Sequence, residues 1–239
     1  MSPEPLLLIP GLMCDRAVWQ PVISELAAVR DCQVLEPGAE DDLAAMASGV
    51  LRQAPGRFAL AGHSMGARVA LELLRQAPGR VSRIALLDTG YQARVPGAAG
   101  VAETRKRQAL LALAREHGVQ AMARDWVQGM VHPARLADAT LVDAIVAMFA
   151  RKSAFTFARQ IQALLQRPDA SAVLGAIRVP ALVACGRQDS WAPVAQHEAM
   201  RALIPGARLA VFEHAGHMAP MERPQAVARE LLRWLAAPA

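Results

Sequence analysis

The residues best equipped for chemistry stand together in Gly62-His63-Ser64-Met65-Gly66. A short apolar run, Phe58 to Ala61, precedes the pentapeptide, and an apolar-periodic segment continues from it to about Gln76. Gly-x-Ser-x-Gly between a strand and a helix marks a sharp turn that lifts a serine hydroxyl to the edge of a sheet. A chain that turns this abruptly holds its pivot in a strained conformation, so the neighbours must be small. Gly62 and Gly66 meet that need. The Met65 amide, at the helix start, faces any oxyanion that develops beside Ser64. A serine hydroxyl is a weak nucleophile near neutral pH and needs a base to take its proton as it attacks. That base must come from elsewhere in the chain.

Two loops after late apolar runs offer the missing parts. Gly186-Arg187-Gln188-Asp189-Ser190-Trp191-Ala192-Pro193 supplies Asp189, and Glu213-His214-Ala215-Gly216-His217-Met218-Ala219-Pro220 supplies His217. In open parallel sheets, ligands and reacting groups gather outside the carboxyl ends of the strands. Ser64, Asp189 and His217 would all lie at that edge. Asp88 also ends an apolar run and competes with Asp189, as His214 does with His217. His63, next to the serine, is expected to turn away and serve the structure. His117, His132 and His197 are expected at the surface or in the helical middle of the chain, and Arg68 and Arg187 in salt bridges. The histidines have no metal-ligand spacing, and a serine route requires neither metal nor cofactor.

These groups must be positioned by a framework, and the rest of the chain describes it. At 239 residues, 54% of them apolar, the chain is long enough for one large α/β domain. Leu6–Ile9 is a continuous apolar run, as expected of a strand covered on both faces. Gln33–Leu35, Phe58–Ala61, Ile84–Asp88, Pro180–Cys185 and Arg208–Phe212 add further strands. Helical patterns lie between them, including Trp19 to Leu26, Leu43 to Gln53 and a last one from Pro224 to Leu235. After Tyr91 the alternation stops, and residues 101–117, 119–131, 135–150 and 155–166 all read as helices. Met122, Trp126 and Met130 recur there at helical spacing and are expected mainly to pack on the sheet. The expectation is an open, mostly parallel α/β sheet of about six strands with helices on both faces. Residues 1–90 and 168–239 form its core, and a helical cap, 91–167, is inserted after the fourth strand.

Charge and cysteine content narrow the partners. The formal charge is +5, but there is no basic run with interleaved aromatics, which argues against nucleic acid. Between Tyr91 and Arg167, 11 Lys and Arg face 5 Asp and Glu, so this segment carries the whole excess. Such a field would draw an anionic substrate or an acidic carrier protein. Cys14, Cys32 and Cys185 are scattered and odd in number, as expected of reduced thiols in a cytoplasm. Met1-Ser2-Pro3-Glu4-Pro5 lacks a basic start, and Pro10 and Gly11 interrupt the apolar run behind it. Neither a signal peptide nor a membrane span is expected. Monomer and dimer both remain open.

The order Ser, Asp, His and the motifs around them resemble the α/β-hydrolase superfamily over essentially the whole chain. The resemblance is strongest to compact bacterial serine hydrolases near the carboxylesterases, enol-lactonases and pimeloyl-carrier-protein methyl esterase. It rests on the serine pentapeptide, on Gly186-Arg187-Gln188-Asp189 with Pro193, and on Gly216-His217 followed by Met218-Ala219-Pro220-Met221-Glu222-Arg223-Pro224. It implies Ser64 as nucleophile, His217 as base and then acid, and Asp189 as the group that orients the imidazolium. It also implies an oxyanion hole from the amides of Met65 and Leu12, with Met13 the rival of Leu12. Two features depart from the family. Pro10-Gly11 stands where its members usually carry His-Gly, and the common initial β-hairpin is missing. Leu12, Met13, Met65, Trp191 and Met218 would line an apolar, adaptable pocket for a short to medium acyl group. The implied activity is hydrolysis of small carboxylic esters through an acyl-enzyme. A lactonase or a carbon–carbon hydrolase or lyase is the alternative, and a small-molecule receptor with slow turnover is the alternative of another class.

Overall fold

Strand β1 (Leu6–Ile9) consists of four aliphatic residues, each fully buried. Every such side chain removed from water stabilises the fold by about 1.5–3 kcal/mol, and a strand covered on both faces needs no polar alternation. The computed structural model describes residues 4–238. Met1–Pro3, part of the N-terminal stretch read above, and Ala239 lie outside the described residues. Around β1 run β2 (Cys32–Val34), β3 (Phe58–His63), β4 (Val81–Leu87), β5 (Ala181–Gly186) and β6 (Arg208–Phe212). They form one sheet in the order β2-β1-β3-β4-β5-β6, every pairing parallel. Ile9 is in register with Gly62, His63 with Leu87, and Gly186 with Phe212, so the ends of these strands reach one edge together.

Parallel pairing requires a crossover between neighbours, and helices supply it. These are α1 (Gln20–Leu26), α2 (Leu43–Gln53), α3 (Met65–Gln76), α9 (Val194–Leu203) and α11 (Pro224–Ala236), with the single turn α10 (Ala219–Glu222) before the last. α1 packs against α11 and α2 against α3. Between β4 and β5 the chain builds α4 (Ala98–His117), α5 (Val119–Trp126), α6 (Ala139–Ala150), α7 (Ala154–Leu165) and α8 (Ser171–Ala176).

The structure shortens two of the expected helices. The one expected over 119–131 ends at Trp126 and tightens into a 3-10 turn, Val127–Gly129. The one expected over 135–150 begins at Ala139, where the Asp138 carboxylate accepts from the Leu141 amide at 3.1 Å. Pro133 and this cap turn the intervening residues into a short connector. β3 continues to His63 and β4 stops at Leu87, so Asp88 lies just beyond its strand. α8 and α9 had no counterpart in the sequence reading.

Candidate active site

β3 hands the chain to α3 at Ser64, whose backbone angles, φ 55° and ψ −118°, lie in a region that side chains avoid. Packing around the pivot explains the glycines. A Cβ on Gly62 would come within 2.5 Å of the Ala67 Cα and the Gly66 carbonyl, and one on Gly66 would strike the carbonyl oxygens of Ile9 and Pro10. The pivot is held from both sides: Ser64 N donates to Leu87 O at 2.9 Å, and Thr89 Oγ1 donates to Ser64 O at 2.9 Å.

The loops after β5 and β6 bring Asp189 and His217 to this serine. The Ser64 Oγ lies 2.8 Å from His217 Nε2, and His217 Nδ1 lies 2.8 Å from Asp189 Oδ2. The other Asp189 oxygen accepts from the amides of Trp191 (2.9 Å) and Ala192 (3.0 Å). Burial by itself would raise Asp189. The His217 charge and hydrogen bond and the two amides outweigh it and hold the carboxyl below the usual range. The His217 loop is fixed in turn by residues between β4 and β5. His217 N donates to Met130 O at 2.6 Å, and buried Glu222 accepts from Gly216 N (2.8 Å) and His132 N (2.7 Å). Burial raises Glu222. This carboxylate gives a physical role to the Glu of the Met-x-Pro-x-Glu-Arg-Pro run, which the sequence alone left as a pattern.

The competing residues take other places. Asp88 is fully buried, and its Oδ1 accepts from Gly186 N at 2.9 Å, tying the end of β4 to β5 rather than meeting His217. Burial and the neighbouring Asp189 charge raise it well above the usual carboxylate value. His214 is exposed and lies edge-on to His132, with ring centres 5.8 Å apart. His63 turns behind the elbow and donates from Nε2 to the His217 carbonyl at 2.8 Å. Burial and the nearby His217 push it down to about 3, so it is neutral. Arg187 pairs with Glu213 at 2.6 Å, as expected. Two expectations need correction. His197 is neither a surface nor a cap residue; it is fully buried in α9, and its Nε2 accepts from Thr89 N at 3.0 Å. Arg68 forms no salt bridge among the described residues. One of its Nη donates to Gln92 O at 2.8 Å, and burial and neighbouring Arg167 push it down to about 9.

The turn after β1 separates Leu12 from Met13. Met13 adopts a left-handed φ of 61° and its side chain is fully buried, so it does not line the cavity as expected. Its amide is also engaged, donating to Gln160 Oε1 at 2.9 Å, while Gln160 Nε2 donates to Gly38 O at 2.7 Å. Among the described residues the amides of Leu12 and Met65 have no protein acceptor. Sequence reasoning missed Gln160. Its signal was a polar residue at helical spacing with Phe157, Ile161 and Leu164 on an otherwise apolar face.

A cavity of about 420 Å³ opens over Ser64, with Leu12, Met65, Trp191 and Met218 in its wall. Trp191 packs on His217, ring centres 4.8 Å apart, and stacks on Trp126 at 5.6 Å. Phe149 and Phe157 lie 5.3 Å from Trp126, so aromatics from α5, α6 and α7 complete the apolar wall. Met130 also lines the cavity, whereas Met122 is buried away from it. Beyond the aromatics the lining turns charged, with Arg68, Lys106, Arg107, Arg167 and Glu103. Among the described residues no three His, Cys, Asp or Glu gather as a metal-binding set. No helix there is long and apolar enough to cross a membrane.

Residues 40–224 match the family model described as alpha/beta hydrolase fold. The chain is similar to a pimeloyl-[acyl-carrier protein] methyl ester esterase from Nitrosomonas europaea, at 29% identity over 89% of this chain and 88% of that one. Among solved structures it resembles a thermophilic esterase from Thermogutta terrifontis, with TM-score 0.86, 25% identity, and coverage of 98% of this chain and 90% of that one. An enol-lactonase from Burkholderia xenovorans shares the fold at TM-score 0.83 and 21% identity, covering 98% and 91% of the two chains. With a parallel sheet, a serine at the sharp turn from β3 to α3 and five helices between β4 and β5 already in place, the family match is decisive: the chain belongs to the alpha/beta hydrolase fold family.

Proposed function

We propose that the protein is a serine hydrolase that cleaves small carboxylic esters through an acyl-enzyme. The observation that carries this reading is the hydrogen-bonded series from Ser64 Oγ through His217 to Asp189, both links at 2.8 Å. The Ser64 hydroxyl donates to His217 Nε2 while Nδ1–H donates to Asp189. Attack forms the Ser64 Oγ–carbonyl carbon bond, and His217 takes the proton. The amides of Leu12 and Met65 receive the developing oxyanion. Collapse breaks the bond to the alcohol, which leaves with the proton from His217. Water then repeats the sequence on the acyl-enzyme, releasing the acid and restoring Ser64. The apolar wall of Trp126, Trp191, Phe149 and Phe157 supports an acyl chain of modest size. The esterase names of the similar proteins agree with this reaction.

The test is hydrolysis of methyl and p-nitrophenyl esters of graded chain length by the wild type and Ser64→Ala. Sustained turnover by the wild type, reduced by about 10³-fold or more in the variant, is expected. Activity that survives Ser64→Ala overturns the mechanism. A single stoichiometric burst without turnover replaces it with a receptor that is modified once.

A further inference from the structure

The charged end of the cavity has more cation than its own carboxylates can neutralise. Glu103 is shared: Arg167 grips it through two hydrogen bonds of 2.7 and 2.9 Å, and Arg107 adds one of 3.0 Å. That leaves Arg68 and Lys106 facing the same space. Asp169, the other nearby carboxylate, is exposed and accepts from Ser171 N at 2.8 Å. Lys106 is exposed on α4, whereas Arg68 is held inside, with 9% of its surface accessible. A guanidinium removed from water without a carboxylate partner is costly, and proteins keep such a charge where an anion will meet it. Its fork of donors fits a carboxylate, and a single backbone carbonyl uses only part of it.

Position adds to this chemistry. Ser64 caps α3 and Arg68 stands in its first turn, and both line the same cavity. An anion held by Arg68 and a carbonyl at Ser64 therefore share one space, and a chain joining the two lays its methylenes against the apolar wall.

We propose that Arg68, supported by Lys106 and the Arg107–Glu103–Arg167 cluster, binds a carboxylate of the substrate, so that the preferred substrates are esters that carry a second, free carboxylate. This rests on the ester-hydrolase reading and specifies its substrate class.

The test compares kcat/KM by pH-stat for monomethyl esters of dicarboxylic acids of about four to seven carbons with methyl esters of monocarboxylic acids of equal length. The wild type is expected to favour the acidic member of a pair by about tenfold or more, with the preference shrinking as salt rises. Arg68→Met should bring the ratio close to one, and Lys106→Gln should lower it by a smaller factor. O-acetyl esters of short hydroxy acids, which carry the carboxylate on the alcohol side, show which part of the substrate reaches Arg68. A wild-type ratio at or below one overturns the proposal, and that comparison needs no variant to fold. Calorimetry of glutarate and adipate binding to Ser64→Ala separates this proposal from the reaction. Binding that is lost in Ser64→Ala/Arg68→Met supports the carboxylate site even if no ester is turned over. Turnover of neutral esters without dicarboxylate binding leaves the hydrolase and removes the carboxylate site.

Discussion

Asp88 and Asp189 leave neighbouring strands at the same edge of the sheet, yet only Asp189 hydrogen-bonds an imidazole, while Asp88 Oδ2 lies 3.7 Å from His63 Nε2. The difference lies in what each carboxylate accepts. Asp189 takes two loop amides and the His217 ring, which favour its charged form, whereas Asp88 takes one amide in a fully buried site. Asp189→Asn is therefore expected to lower kcat by about 10³–10⁴-fold, because an amide cannot hold the imidazole in the working tautomer or stabilise its cation. Asp88→Asn should lower kcat by less than about tenfold. Steady-state kinetics of the two variants, with folding checked by circular dichroism, decides between them. Equal losses would mean that Asp88 shares the orienting role.

At the scale of elements, the segment between β4 and β5 does more than line the cavity. Gln160 on α7 accepts from Met13 and donates to Gly38, fastening the turn after β1, and Met130 and His132 fasten the His217 loop through its amide and Glu222. Ion pairs such as Arg151–Asp15 and Arg159–Asp41 join the same helices to the core from outside. Being solvent-exposed, such pairs stabilise by only about 0–1 kcal/mol each, so the buried amide bridge sets the geometry. Gln160→Leu leaves the Met13 amide without a partner inside the protein, which should destabilise by about 1–3 kcal/mol. It should also loosen the Leu12 amide beside Ser64. We expect a roughly tenfold lower kcat with a much smaller change in KM, measured on the best ester. A change confined to KM would show that Gln160 shapes only the pocket.

The whole molecule responds to acid through its buried histidines. His63 is held near 3 in the folded protein against an ordinary value of 6.5, and burial lowers His197 as well. As pH falls below 6.5, the unfolded chain takes protons that the folded chain refuses, so stability declines from about pH 6.5 towards 3. Each such group contributes at most about 1.4 kcal/mol per pH unit. Asp88 and Glu222, raised by burial, act in the opposite sense. Their contribution is present at low pH and is lost as pH rises through their raised values. The informative quantity is therefore a difference. Urea unfolding between pH 7 and 4 should show a shallower acid loss in His63→Gln than in the wild type. Parallel curves would mean that His63 titrates normally in the fold.

The sequence by itself determined the repeating strand–helix order, the serine elbow and the loops that carry Asp189 and His217. Each of these is written locally: apolar runs for buried strands, small residues at a strained pivot, and Gly and Pro at strand ends. The breaks near Gly129 and Pro133 were also local but weaker, because helical periodicity on either side masks a short connector. Only the tertiary structure decided which aspartate meets His217, that Met13 is buried, that His197 is internal and that Arg68 lacks a salt bridge. It alone paired Gln160 with Met13, 147 residues apart in the chain. Neither periodicity nor motif spacing encodes a partner at that distance. Such pairings are chosen by burial, which makes an unpaired amide or charge expensive and selects whichever group the fold brings within reach.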